Sequence, residues 1–447
     1  MRRRSRNWSI APFLVVGAVL AGTSLSAGAS AVSSSFHAPR SGYLVYWDNN
    51  EEVDYYASAS NTQGQLMPPW DLNGQVCVLN DGSGRYVGGY DPTNYSQHNP
   101  GGPPHNPFKQ PADGEEMNGR HGLWTGLNLY IPGPFKMPKG TPGVTASSPG
   151  GDSPPDTHGI YNGQQTYTGC AVDSQHNVFG ADIATAQGQV PIPSSGRLVE
   201  WFAPKYTSYC VLYGPTTGGV DGTHHTDGSG GLIQPGMMAT DSNDNLYVPQ
   251  GGGANGVPPG NVTEFSHSSF PTSASECPDG IYPRANIKSS VFIQSTGSLL
   301  PVPQGIAKDP KCNCWAVSTL YGSPSIAWFN DQGQYLSTHP SIPGELLSDF
   351  GHSATGYNPF GIAFAPDGTL YFVDIHVLCQ GTGLTNCGAS NQGRLMRVTF
   401  VPNGTPSAPV TLASGMDFPT SATVCVPSRQ VCPFPTHHTP PPNRAPA

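Results

Sequence analysis

Residues 358–376 read NPFGIAFAPDGTLYFVDIH, and residues 393–398 read GRLMRV. Gly361-Ile362-Ala363-Phe364 is a short apolar run of the kind that forms a buried strand. Pro366-Asp367-Gly368 is a tight turn, because proline presets φ and glycine accepts a positive one. Leu370-Tyr371-Phe372-Val373 is a second strand, built from aromatic and β-branched residues that suit a pleated surface. Gly393 to Val398 alternates apolar and polar residues, as a half-buried third strand does. The stretch is one antiparallel unit, and such a unit cannot bury its own apolar faces.

The same three-part pattern recurs. Gly169-Cys170-Ala171-Val172-Asp173 leads to Asn177–Asp182 and then Gly196–Trp201. Met237–Asp241 leads to Asn245–Val248 and then Gly260–Phe265. Gly305–Pro310 leads to Cys314–Val317 and then Ser325–Phe329. Repetition of this kind indicates blades or arrays that cover one another. First strands begin near residues 75, 169, 237, 305, 361 and 420. Six starts imply six blades, with seven as the runner-up if residues 75–165 hold two compressed ones. Ser41-Gly42-Tyr43-Leu44-Val45-Tyr46-Trp47 matches Ser195–Trp201, a third strand, but no first and second strands precede it. Those are expected at the other chain end, in Thr420–Val424 and Arg429-Gln430-Val431. The N-terminal strand would then complete the C-terminal blade and remove an exposed sheet edge.

With its motif of a glycine-led apolar run, a turn, a [LV]-[YF] strand and a downstream G-R-[LI], the chain resembles the NHL-repeat and SMP-30 (gluconolactonase-like) β-propellers from about Gly42 to Pro433. The resemblance implies an all-β, six-bladed propeller and marks the fold more than the activity. SMP-30-like lactonases place an Asn and an Asp just before first-strand glycines, around a catalytic divalent cation. Here Phe360 and Gln304 hold those places, and Asn358 is displaced by two positions.

Composition agrees with many short strands joined by turns: 56 Gly and 47 Pro among 447 residues, and 11% charged residues. Met1–Arg6 is basic, Ala11–Gly22 is apolar and Ala29-Ser30-Ala31 fits a small-residue cleavage site, so residues 1–31 read as a secretory signal peptide. Its apolar run is short for a membrane span. Removing it takes four Arg and no acid from 20 basic and 29 acidic residues, leaving a net charge of −13 with His neutral. Such a surface excludes a nucleic-acid partner. Residues 32–432 form a single propeller domain, expected to be monomeric, and 433–447 form an extended Pro-rich tail. The ten Cys favour disulfides in an exported protein. Cys379–Cys387, Cys425–Cys432, Cys170 with Cys210, and Cys277 with Cys312 or Cys314 are candidate pairs. Spacing leaves the connectivity open, and Cys312-x-Cys314 also admits a metal or redox site.

In a propeller, the loops before first strands and the loops between second and third strands gather on one face, where ligands sit. His158, His224, His225 and His352 lie shortly before first strands, and His376 follows a second strand. Converging imidazoles hold metals such as zinc, which polarise carbonyls or activate water. Asp182 and Asp374 follow second strands at equivalent places and offer an alternative cation site suited to Ca; the structural reading of both is a strand-end carboxylate that accepts backbone N–H groups. Trp47, Trp201, Trp315 and Trp328 read as packing between blades rather than as sugar platforms. The expectation is a secreted propeller that binds a small molecule at its central channel, a metal-assisted hydrolase or lyase (lactonase-like or NHL-lyase-like) using Zn or Ca. The alternative is a non-catalytic extracellular protein- or glycan-binding module that uses the long loops 91–117 and 141–156.

Overall fold

The computed structural model describes, with short breaks, residues 41–66, 167–214, 231–344 and 356–432, together with Cys77 and the strand pair 122–125 and 129–132. These residues form five antiparallel sheets of three or four strands, with three separate two-stranded pairs. From the inner strand outward, blade 1 is Ala422–Cys425, Leu44–Asn49, Glu52–Ala57 and Thr62–Leu66. Blade 2 is Tyr167–Val172, Val178–Asp182, Arg197–Trp201 and Tyr209–Tyr213. Blade 3 is Ala239–Thr240, Leu246–Gln250, Asn261–Phe265 and Ser289–Gln294. Blade 4 is Pro303–Asp309, Cys314–Thr319 and Ile326–Phe329. Blade 5 is Pro359–Phe364, Leu370–Asp374, Gly393–Val398 and Val410–Met416.

Among the described residues the propeller therefore has five blades, not the six or seven expected from the sequence. The glycine-led run at residues 74–78 supplied the extra start, and only Cys77 of it is described, outside any strand. Among the described residues Gly122–Thr125 and Leu129–Pro132 pair with each other alone.

The two chain ends share blade 1, as the sequence indicated. Val45 pairs with Val424, and Trp47 with Ala422. The strand position differs from the expected one: Leu44–Asn49 is the second strand and lies directly on the inner strand. It occupies the place assigned to Arg429-Gln430-Val431, where Arg429 belongs to a turn and the other two lie outside the described residues. Second and third strands both carry buried apolar residues, so the motif alone does not tell them apart.

Inner strands of successive blades meet backbone to backbone. The Met237 N–H donates to the Gln304 carbonyl at 2.6 Å, and the Ile306 N–H to the Met237 carbonyl at 3.3 Å. A Cβ on Gly169 would collide with the Gly236 carbonyl, one on Gly236 with that of Gln304, and one on Gly305 with that of Phe360. On Gly361 it would lie 2.6 Å from the Thr420 carbonyl oxygen. The glycine that opens each repeat is thus set by the neighbouring blade. Between blades, the four Trp singled out above are all at most 1% exposed.

The turn from inner to second strand is also repeated. In blade 2, Asp173 Oδ1 accepts from the N–H groups of Gln175 and Asn177 at 2.9 and 2.7 Å, and Asp173 Oδ2 from Asn177 Nδ2 at 2.9 Å. Asp241 does the same with Asn243 and Asn245 in blade 3. The Asn then reaches across to the turn after the third strand: Asn177 Oδ1 accepts from Ala203 N–H at 2.9 Å, and Asn245 Oδ1 from His267 N–H at 3.2 Å. These bonds satisfy turn amides that no strand partner reaches.

Disulfides join Cys77–Cys170, Cys210–Cys277, Cys312–Cys314 and Cys425–Cys432. The last pair matches expectation, and strand register sets Cys379 opposite Cys387. The pairing of Cys170 with Cys210, and of Cys277 with Cys312 or Cys314, is corrected: Cys210 and Cys277 link blade 2 to the short 3-10 turns between the outer strands of blade 3. Among the described residues no helix is long and apolar enough to cross a membrane.

Because the group facing Gly236 is backbone, it cannot swing aside. Gly236→Ala is expected to destabilise the protein by about 3 kcal/mol, read as a lowered midpoint in urea with an unchanged slope.

Candidate functional site

One end of the ring is where inner strands begin and second strands finish. A repeated polar clamp is built there. The last residues of second strands hold the backbone that leads into the inner strand of the same blade. Gln250 Oε1 accepts from Ile233 N–H at 2.8 Å, Thr319 Oγ1 from Val302 N–H at 3.0 Å, and Asp374 Oδ1 from Asn358 N–H at 2.8 Å. All three side chains are buried. Gln250 is itself fixed through Nε2, which donates to Thr263 Oγ1 at 2.6 Å and to Asn261 Oδ1 at 3.2 Å. The rim of the channel is thus held by side chains of the rigid sheets.

Blade 5 carries the densest part of this rim. Asp374 is fully buried, and its Oδ1 also accepts from His376 N–H at 3.1 Å. Its Oδ2 accepts from Arg394 Nε at 2.9 Å and from Arg394 Nη2. Arg394 Nη2 further donates to the Gly356 carbonyl at 3.2 Å, and its guanidinium lies 5.4 Å from the Tyr357 ring centroid. Asp374 therefore does the structural work of a strand-end carboxylate and pairs with a cation of its own chain. His376 is buried beside it, in a left-handed conformation with φ 48°. Asp182 sits at the same register in blade 2, opposite Arg197 as Asp374 is opposite Arg394. Each of these two positions is followed by a small hairpin, Thr185–Ala186 with Val190–Pro191 and Val377–Cys379 with Cys387–Ala389.

Of the expected metal ligands, His376 is at this rim. His158, His224, His225 and His352 lie outside the described residues, as do the long loops 91–117 and 141–156. The Arg394 pairing was missed from the sequence, although the Gly-Arg opening shared by residues 196–197 and 393–394 signalled it.

A different set of ligand-type atoms meets at the opposite end of the ring. One donor atom each from Asp309, Cys312, Cys314 and His339 lie within 4.8 Å of one another. Asp309 and Cys314 are buried, Cys312 is exposed and His339 is intermediate. The cysteines and Asp309 belong to the turn between inner and second strands of blade 4, and His339 follows its third strand. Trp328 Nε1 donates to Asp309 Oδ2 at 3.0 Å, while its ring stacks on His339 at 5.0 Å and 15°. These residues could hold a metal once the two sulfurs are free of each other.

One further titratable group is strongly displaced. Glu200, on the third strand of blade 2, is buried, and its Oε2 meets no hydrogen-bond donor among the described residues. Burial, and then the negative charges of Asp173 and Glu276, push its carboxyl well above the usual range. Glu200 stands in the apolar layer between blades with Leu198 and Phe202, away from the rim. Its perturbation is structural.

No protein-family model matches the chain, and no curated protein matches it in sequence. Solved structures do. The luciferin-regenerating enzyme is 12% identical, covering 81% of this chain and 93% of that one, with a TM-score of 0.39. The PQQ-bound aldose sugar dehydrogenase from Streptomyces coelicolor is 12% identical, covering 86% and 90%, with a TM-score of 0.35. An auxiliary nutrient binding protein from Bacteroides ovatus is 9% identical, with a TM-score of 0.28; the match covers 53% of this chain and 39% of that protein. Likenesses this distant assign no chemistry.

Two outcomes follow from the buried carboxyls. Asp374→Ala leaves Arg394 without its counter-charge and is expected to cost about 3 kcal/mol in chemical denaturation. For Glu200 the folded-state pKa is raised, so wild-type stability is greatest below the unfolded value of about 4.3 and falls as pH rises toward the folded value. Glu200→Gln should remove that fall, and the stability difference between the two proteins should change by about 1.4 kcal/mol per pH unit within that window.

Proposed function

We propose that the protein is an extracellular propeller that takes up a small molecule at the rim where its inner strands begin. We further infer that it is a metal-assisted hydrolase or lyase in which His158, His224, His225, His352 and His376 supply metal ligands or acid–base groups. The observation that carries the reading is the clamped rim itself. Gln250, Thr319 and Asp374 fix the approach to the inner strand in blades 3, 4 and 5, and a buried histidine follows the last of them. A fixed rim is what a site needs to hold ligand and metal in one geometry.

The acidic chain, at net −9 for the whole sequence, favours a cation at such a rim over a polyanion. Four described disulfides support an oxidising compartment, and residues 1–31 supply the export signal. A divalent metal, Zn with imidazole ligands or Ca with Asp182 and carbonyls, would polarise a bound carbonyl or activate water. Asp374, already paired with Arg394, would then orient the rim and His376 rather than bind the ion.

The test is metal analysis of the purified, unreduced protein, so that Cys312 and Cys314 remain bonded. One divalent ion per chain is expected, lost or at least tenfold weaker in His158→Ala and His352→Ala. Unreduced protein without stoichiometric metal, with both variants unchanged, would overturn the enzyme and leave a protein- or glycan-binding module.

A further inference from the structure

The turn from inner to second strand is built alike in blades 2 and 3, and blade 4 departs from it. In the first two, an Asn amide occupies the second oxygen of the turn Asp, and that Asn then bonds the turn after the third strand. In blade 4 the second oxygen of Asp309 accepts from Trp328 Nε1 instead, and Cys312, Cys314 and His339 bring their ligand atoms close to it. Asp309 keeps only part of the common arrangement, accepting from Lys311 N–H at 2.9 Å. Among the described residues each of its oxygens receives one protein donor, so each retains a lone pair for another partner.

We propose that Asp309, Cys312, Cys314 and His339 form a redox-gated site for a zinc-class divalent ion. The donor set is two thiolates, one imidazole and one carboxylate, which suits a tetrahedral, borderline-soft ion better than Ca or Mg. Trp328 orients two of the four ligands at once, by its hydrogen bond to Asp309 and its stacking on His339. Fixing ligands from behind in this way is how metal sites hold their geometry.

The Cys312–Cys314 bond is the closed form of this site, because bonded sulfurs are not thiolate ligands. Opening it needs a dithiol reductant, which supplies two electrons and two protons. The protein bond becomes two thiols while the reductant closes its own disulfide. Each thiol then releases its proton as it binds the ion. Access selects this bond over the other described ones. Cys312 is exposed, whereas Cys77, Cys170, Cys210, Cys277, Cys425 and Cys432 are all at most 9% exposed.

The experiment uses the full chain and cobalt(II) as the probe, with absorbance reporting thiolate-to-cobalt charge transfer. After mild treatment with a dithiol, removed before the titration under anaerobic conditions, one cobalt per chain is expected with a thiolate band that zinc displaces. Unreduced protein should show no band. The double variant Cys312→Ser with Cys314→Ser should lose it, His339→Ala should bind at least tenfold more weakly, and Trp328→Phe about tenfold more weakly. No thiolate band in the reduced wild type, or an equal band in the double variant, overturns the site. An equal band without reduction overturns the gate. The rim histidines are assayed in the unreduced state, so either result can fail without the other.

Discussion

The structure depends on the approach of one inner strand to the next at backbone distance. A carbonyl of each following blade fills the space where a Cβ would stand on Gly169, Gly236, Gly305 and Gly361. That contact fixes how closely the blades gather about the axis. It also lets the peptide groups of neighbouring blades bond directly, as Met237 does with Gln304. The large side chains are displaced outward by the same constraint. Trp47, Trp201, Trp315 and Trp328 fill the widening space between sheets, where area buried from water is greatest.

Around this axis two polar devices recur at opposite ends, the turn Asp in blades 2 and 3 and the rim clamp in blades 3, 4 and 5. At one end an Asp closes the turn between inner and second strands. At the other, the terminal side chain of the second strand holds the backbone that leads into the inner strand. Their chemistry varies while their job stays the same: Gln250, Thr319 and Asp374 are an amide, a hydroxyl and a carboxylate. Variation at a fixed position is where a repeat acquires local properties. It explains why the rim at blade 5 carries charge and why the far end of blade 4 carries sulfur.

The central strands were legible in the sequence because burial wrote its pattern into them. Gly361–Phe364, the Asp367-Gly368 turn and Leu370–Val373 are as read, with Gly368 at φ 85°. Outer strands were not read. Ser289–Gln294 is largely exposed and Val410–Met416 is mostly half-buried, so no clear apolar alternation marks them. The blade number differs because residues 74–78, which carry the local motif, lie outside the described residues apart from Cys77. The candidate sites were legible only as residue types. Cys312-x-Cys314 could be seen as a metal or redox pair, whereas Asp309 and His339 join it only through the turn and the stacking of Trp328. Asp374 could be read as a strand-end carboxylate that accepts backbone N–H groups, but its pairing with Arg394 across the sheet could not.

Blade 1 is assembled from segments nearly a whole chain length apart, Leu44–Asn49 and Ala422–Cys425. Such pairing carries the highest loop-closure cost in the molecule, so ring closure is the late and slow event of folding. Once made, it turns a linear array of sheets into a loop with no free end. A nick in any connecting loop then leaves both fragments woven into the ring, held through other blades on either side of the break. The clasp between the termini therefore protects against proteolysis far from where it lies.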